Sequence, residues 1–365
     1  MQPGEFSSLP ISCYRLGLRA REAGDLPLFL GSTLRGAFGH ALKEAVCVME
    51  HRDCARCMLA ERCLYPYLFE TPAPPDLPLL RGQQQAPRPF VLTPPVLETP
   101  EVKIDEPPPR QEGAQGLSIT RAANAFEGSR ASAARPTVER RRLTAGGELS
   151  FGLLLIGRAT EYLPYVVYAL SNLARRGLGA GRARFELVEV AALDERGEAR
   201  VIYTERSPRI APHGFATRSL GEFVRARLEG LPDGGALGLR FLTPTRVRVD
   251  GDLQAGLSFP LLVRNLLRRV SLLMAVHGRE LLDVDYRALI SRAERVETRS
   301  AALRWWDWER YSSRQETKMK LGGFVGEVEY AGGGLEEFLP LVAAGEILHV
   351  GTGTSFGLGR YRIMP

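Results

Sequence analysis

At 365 residues the chain is long enough for two domains. Its 44% hydrophobic content supports ordinary globular cores and excludes a fibrous or low-complexity chain. A balance of 48 Lys+Arg against 42 Asp+Glu leaves a net charge of +6, which suits a nucleic-acid partner without requiring one.

No apolar run reaches membrane-spanning length, and the start MQPGEFSSLP lacks a signal-peptide pattern, so a cytoplasmic protein with no membrane partner is expected. In chain order, ISCYRLGLRA alternates: Tyr14, Leu16 and Leu18 share one face, and Cys13, Arg15 and Arg19 the other, as in a half-buried strand. GSTLRGAFGHALKEAV carries Leu34, Ala37, Phe38, Ala41, Leu42 and Ala45 at helical spacing, with Ser32 or Thr33 as the expected cap. Its opposite face carries Gly36, His40 and Lys43.

CVMEHRDCARCMLAERC follows. Cys47, Cys54, Cys57 and Cys63 give C-x6-C-x2-C-x5-C, a spacing that can wrap one tetrahedral metal. Structural zinc is expected, with an iron–sulfur cluster as the alternative and no catalytic cofactor. Four protein ligands would leave no open position for a reacting water. His51, inside the loop, is a substitute ligand, and Cys13 reads as a plain strand residue. Residues 71–109 are Pro-rich and extended, with a short edge strand in PFVLTPPV. Residues 111–142 read as a polar insertion without assigned structure.

LSFGLLLIG then reads as a strand, YLPYVVYALSNLARRG as an amphipathic helix stopped at Gly177, and ARFELVEVAAL as a strand. The second half repeats this order. It has LGLRFLTPTRVRV as a strand, FPLLVRNLLRRVSLLMAVHG as a helix and a long hairpin over 295–330. LEEFLPLVAAG follows as a helix closed by Gly345, with EILHV and GLGRYRI as the last strands. The predicted fold is therefore α+β: two tandem ferredoxin-like (RRM-like) units with a metal-binding insertion in the first. The first unit is placed at 1–198, with the Cys insertion at 47–66 and a Pro-rich insertion at about 71–147. The second is placed at 199–365.

The chain closes on GTGTSFGLGRY. A nucleotide phosphate loop fits poorly, because no helix follows and Gly-Lys-Ser/Thr is absent. Two readings stand: a tight hairpin needing glycine, or a concavity of backbone N–H groups for phosphates.

These elements resemble a family. GSTLRGAFGHAL near the start, FLTPTRV, RYSSRQ and the pattern G-x-G-x(3)-G-x-G at the end resemble the RAMP superfamily of CRISPR systems. The closer likeness is to its endoribonuclease that processes precursor CRISPR RNA. LRGAFGHAL with a cysteine cluster and YPYLFE resembles one bacterial branch, and residues 111–142 fall outside the likeness. The resemblance implies metal-independent cleavage of CRISPR repeat RNA through its own 2′-hydroxyl, leaving a 2′,3′-cyclic phosphate. The alternative it leaves open is a RAMP subunit that binds RNA without cutting it, among other CRISPR effector-complex proteins. A third reading is a redox or metal-sensing protein built on the cysteines, against which the short, closed ligand spacing argues.

The resemblance places a catalytic histidine in or near the first helix, where His40 sits with Lys43 one turn on. His349, beside the glycine loop, is the rival. A surface role for His40 and an RNA-contact role for His349 remain the plainer readings. The implied RNA-binding residues are Arg35, Gly351, Thr352, Gly353, Thr354, Gly357, Gly359 and Arg360. Arg310, Arg314, Lys318 and Lys320 join them from the aromatic and cationic hairpin LRWWDWERYSSRQETKMK, for which a Trp-rich core with a solvated basic edge is the plainer reading. Trp306 and Trp308 share the face of Arg310. Trp305 and Tyr311 are core candidates on the other face, as is Tyr14 on its strand. Arg264 and Arg268 could meet phosphates from their helix. His277, at that helix's end, reads as buried or as favourable to the helix dipole, and His213 as a loop residue.

Overall fold

The computed structural model describes residues 1–81, 83–95, 140–179, 181–211, 217–231, 235–307, 309–312, 317–320 and 322–364, with backbone only at 140–141, 309–312 and 317–320. Most of the 111–142 insertion, His213, Trp308 and Arg314 lie outside these residues. Arg310, Tyr311, Lys318 and Lys320 contribute only backbone.

The first unit runs β1 (Pro10–Ala20), α1 (Gly31–Val46), β2 (Phe90–Thr93), β3 (Glu148–Ile156), α2 (Leu163–Arg176), β4 (Phe185–Leu193) and β5 (Ala199–Thr204). Its sheet is antiparallel in the order β2-β3-β1-β4-β5. β5 belongs to this sheet, so the first unit extends past residue 198, where the sequence placed its end. β1 alternates as its sequence predicts. Tyr14, Leu16 and Leu18 stand opposite Leu153, Phe151 and Leu149 and are buried, while Arg15 and Arg19 are exposed. β2 is the edge strand expected in the Pro-rich stretch.

Leu34, Phe38 and Leu42 of α1 pack with Phe90, Phe151, Val166 and Leu170 in the first core. Each fully buried side chain of this size contributes roughly 1.5–3 kcal/mol from leaving water. The helix starts at Gly31 with Leu30 as cap residue, and no side chain caps it. The expected Ser32 and Thr33 lie inside its first turn instead. α2 stops at Gly177 as predicted. There φ is 94° and a Cβ would overlap the Arg182 carbonyl oxygen.

Between the units lies α3 (Leu220–Glu229). The second unit runs β6 (Ala236–Thr245), α4 (Phe259–His277), α5 (Tyr286–Ala293), β7 (Glu297–Trp306), β8 (Gly323–Ala331), α6 (Leu339–Leu348) and β9 (Tyr361–Ile363). Its sheet has the order β7-β8-β6-β9. Leaving aside β5 and α5, both units place their strands in the same β-α-β-β-α-β order, so the repeat predicted from element order is present. The long hairpin is β7 and β8, extended by a ribbon of Glu309–Ser312 with Thr317–Lys320.

The last helix runs past its expected end. Gly345 does not close it; α6 runs on to Leu348 and takes in the first three residues of the expected strand EILHV. A Cβ at Gly345 would overlap the Tyr361 hydroxyl and Leu266. The glycine therefore serves close packing, and Tyr361 donates to the Val342 carbonyl at 2.6 Å.

The second core holds Phe259, Leu266, Val270, Leu341 and Tyr361. It also takes in Ile11, Val91, Leu154 and Ile156 from the reverse face of the first sheet. One apolar core thus spans the seam between the units.

Candidate functional site

All four loop glycines adopt left-handed backbone: φ is 79° at Gly351, 81° at Gly353, 84° at Gly357 and 73° at Gly359. The reason is contact on both sides. A Cβ at Gly359 would overlap the Val350 carbonyl, and one at Gly357 would overlap Pro94 Cδ and approach Leu92 O.

The segment FLTPTRV, at the end of β6, cradles the loop. Thr243 Oγ1 donates to Gly357 O at 2.8 Å and accepts from Arg360 N at 2.9 Å. Gly359 N donates to Pro244 O at 3.1 Å, and Thr352 N to Arg246 O at 3.0 Å. Phe356, Gly357 and Leu358 N–H groups bond within the loop. Most of the N–H groups that sequence reasoning offered to phosphates are therefore already used, and the tight-turn reading accounts for the glycines. Thr352 is exposed and Gly353 half-exposed, whereas Thr354 is buried.

The loop also docks on the first unit. A Cβ at Gly31, the first residue of α1, would overlap Phe356 O. The Arg35 guanidinium lies over the Phe356 ring at 4.3 Å and the Phe69 ring at 5.4 Å, and its Nε donates to Ser355 Oγ at 3.2 Å. Arg35 was expected to bind RNA; here it bridges the units at the loop.

His349 is 2% exposed, with Nδ1 3.2 Å from Leu358 O. Burial, with Arg360 and Arg269 beside it, pulls its pKa down to about 3. Its backbone sits at φ 61° and ψ 164°, a region otherwise left to glycine. His349, the catalytic alternative, is sealed under the loop in this structure, so its ring would meet an RNA phosphate only if the loop opened. His277 is also buried. Its Nε2 is 2.7 Å from Pro87 O, and burial pulls its pKa down to about 4, so it adds no charge at the end of α4.

Arg269 was missed by sequence reasoning. Its Nε donates to Leu348 O at 2.7 Å, and its buried Nη2 has no hydrogen-bond partner among the described residues. Burial lowers its pKa to about 9, and its charge helps keep both imidazoles neutral. Arg360 is half-buried, and burial lowers its pKa too.

His40 lies on the open face of α1. Gly36, one turn before it, is exposed, and among the described residues nothing lies within 4 Å of where a Cβ would stand. Gly39 differs: it is buried, and a Cβ there would press on Phe69 at 2.9 Å. At about 1.5 Å per residue, His40 sits roughly 13 Å along the axis from the loop contact at Gly31. Lys43 turns away toward the cysteine loop. Its ammonium is 4.9 Å from the Tyr65 ring centre, and its charge acts on the nearby Cys54 thiol. Arg264 and Arg268 are exposed on α4.

Cys47, Cys54, Cys57 and Cys63 are half-buried, and all four line one pocket. Trp305 packs partly against the second core and donates to Asp307 Oδ1 at 2.9 Å, while Trp306 meets Phe29 edge-on at 6.5 Å. Tyr14 is buried, and burial pushes its pKa up to about 12. Cys13 packs against the second core. Among the described residues no helix is long and apolar enough to cross a membrane.

Two β-α-β-β-α-β units joined through a terminal glycine loop are the arrangement that the resemblance to RAMP proteins implies. Residues 239–361 match the family described as CRISPR-associated endoribonuclease Cas6. Residues 9–108 and 126–215 match a family described as the AF_1859_N N-terminal domain. The chain is 23% identical over 343 residues to an uncharacterized protein of Archaeoglobus fulgidus, covering 93% of this chain and 92% of that one. Among solved structures, Thermus thermophilus Cas6 matches with a TM-score of 0.48 and 15% identity, over 98% of this chain and 99% of that chain. A partial Cas6-RT-Cas1–Cas2 complex matches with a TM-score of 0.53 and 10% identity, over 98% of this chain and 46% of that chain. The Cas6 endoribonuclease match thus falls on the second unit, and the first unit carries the separate N-terminal-domain match.

Proposed function

We propose that the chain cuts CRISPR repeat RNA in precursor transcripts, without a catalytic metal, and that His40 carries the proton transfer. The RNA 2′-oxygen attacks the adjacent phosphorus and the bond to the 5′-oxygen breaks. A 2′,3′-cyclic phosphate and a 5′-hydroxyl result. One proton leaves the 2′-hydroxyl and one reaches the 5′-oxygen; an imidazole titrating near neutrality can move either. A cation eases the crowded phosphate; Lys43, on the same helix, is proposed for it and would have to swing from its place over the Tyr65 ring to reach the RNA.

The observation that carries this reading is the exposed His40 on the helix whose first turn receives the glycine loop. Gly36 leaves the helix backbone bare beside it, which suits close approach of a ribose-phosphate chain. The glycine loop serves chiefly to fix that helix against the second unit. Direct RNA contact by the loop is assigned to Thr352 and Gly353, which face outward. Arg310, Lys318 and Lys320, together with Arg314 outside the described residues, are proposed to hold the RNA further along.

The test is cleavage of the cognate repeat RNA in excess EDTA. The wild-type chain should yield a cyclic-phosphate end. His40→Ala should lose roughly 10²- to 10⁴-fold in rate while RNA affinity holds. His349→Ala, if folded, should keep the chemistry. Tight binding by wild type with the RNA left whole would overturn the enzymatic reading in favour of a gripping subunit.

A further inference from the structure

The RNA chemistry leaves one sequence motif unused: the loop Cys47–Cys63 that follows α1. It contains no strand and one short helical segment, the 3-10 stretch Cys54–Arg56. Its side chains are arranged inside out. Val48 is 78% exposed, Met58 86% and Leu59 44%, while the four cysteines turn inward on one pocket with Lys43, Met49 and Tyr65. Apolar burial therefore does not hold this loop together. Short turns do the local work: Cys57 N donates to Cys54 O at 3.3 Å, Ala60 N to Cys57 O at 3.1 Å, and Cys63 N to Ala60 O at 3.4 Å. The first of these puts both side chains of the C-x2-C pair on one tight turn.

We infer that this loop closes around one zinc ion held by the thiolates of Cys47, Cys54, Cys57 and Cys63. Among the described residues no three His, Cys, Asp or Glu side chains are already gathered tightly enough to hold an ion. Binding would therefore draw the sulfurs to about 2.3 Å from the metal and contract the loop. The donor set fits zinc: four soft thiolates from a short segment, with no open position for water. Metal binding to such a segment is folding free energy for it.

The consequence reaches α1. Cys47 is the residue that ends α1, its N–H bonded to Lys43 O at 2.9 Å. Cys63 stands just before Tyr65, which stacks on Phe69, and Phe69 packs on Phe38 of α1 and under Gly39. One ion would thus staple the end of α1 to the segment that buttresses it beside His40. This inference stands independently of the RNA reading.

Metal analysis of the full chain, purified under reducing conditions, tests it first. About one zinc per chain is expected. Mercurial titration of the thiols should release that zinc to a colorimetric chelator. The pair Cys54→Ser and Cys57→Ser should lose the metal, whereas Cys13→Ser, a strand thiol, should keep it. Should the double variant not fold, wild type decides alone. Stripping its metal with a strong chelator should make the 47–63 segment protease-sensitive, and added zinc should restore protection. Metal-free wild type with freely reactive thiols would overturn the inference. So would disulfides within the loop, or bound iron with visible absorbance.

Discussion

His349 and His277 are held neutral by burial, with pKa values near about 3 and about 4. In the unfolded chain each would titrate near its ordinary value of about 6.5. The unfolded state therefore takes up protons as pH falls through that value, while the folded state does not. Stability contributed by these two rings is complete above about pH 6.5 and is lost as pH drops toward their folded values. Each adds a slope of at most about 1.4 kcal/mol per pH unit in that window. Denaturant unfolding at several pH values should show the loss, and His277→Gln should flatten it. An equal slope in the variant would refute the assignment. At this scale the sequence was half legible. His40 and His349 were both visible as histidines near family segments. Burial separates them: His40 is exposed, while His349 is enclosed with its ring against Leu358 O, a contact nine residues on that only the folded loop makes.

α1 shows how an element can be read and misread. Its apolar stripe was plain from spacing, and Leu34, Phe38 and Leu42 are buried as expected. Its two inner glycines look alike in sequence and differ in space. Gly39 makes room for Phe69; Gly36 makes room for nothing among the described residues. A helix-interior glycine costs about 1 kcal/mol relative to Ala. Gly36→Ala should therefore raise stability by about 0.5–1 kcal/mol in unfolding assays. It should also weaken repeat-RNA binding or cleavage, because the added methyl stands beside His40. Gains in both stability and activity would sink the role given to that bare face. Thr243 is a second case at this scale. FLTPTRV was noticed as a segment, but the hydroxyl joining Gly357 O to Arg360 N needs the fold to be seen. Thr243→Val leaves two buried backbone groups unpaired and should cost about 1–3 kcal/mol, read as a lower melting temperature. The helices α3 and α5 were missed, although Ser219 and Glu222 form a capping box and Asp285 caps the second; each has only about two or three turns of weak apolar pattern.

For the whole molecule, the two units are joined by an apolar seam and a polar latch. The seam is the second core reaching Ile11, Val91, Leu154 and Ile156. The latch is Arg35, which crosses from α1 to Phe356 and Ser355 of the glycine loop. The doubled element order was legible because each unit carries its own apolar periodicity. The seam was not, since its residues are spread from Ile11 to Tyr361 and only the closed fold brings them together. A coupled pair of units should unfold in one transition, with the loop and α1 moving as one body. Arg35→Ala removes a half-buried cation stacked on two rings. It should cost about 1–2 kcal/mol, from cation–π contacts worth about 0.5–1 kcal/mol or more each. The proposed site uses both sides of this joint, so cleavage should fall more than stability alone explains, and Arg35→Lys should rescue it only partly because the planar stack is lost. Calorimetry with a cleavage assay on the two variants separates the cases. Full cleavage by Arg35→Ala, at a temperature where it is folded, would show that the latch does not position His40. The loop would then act on RNA without passing through α1.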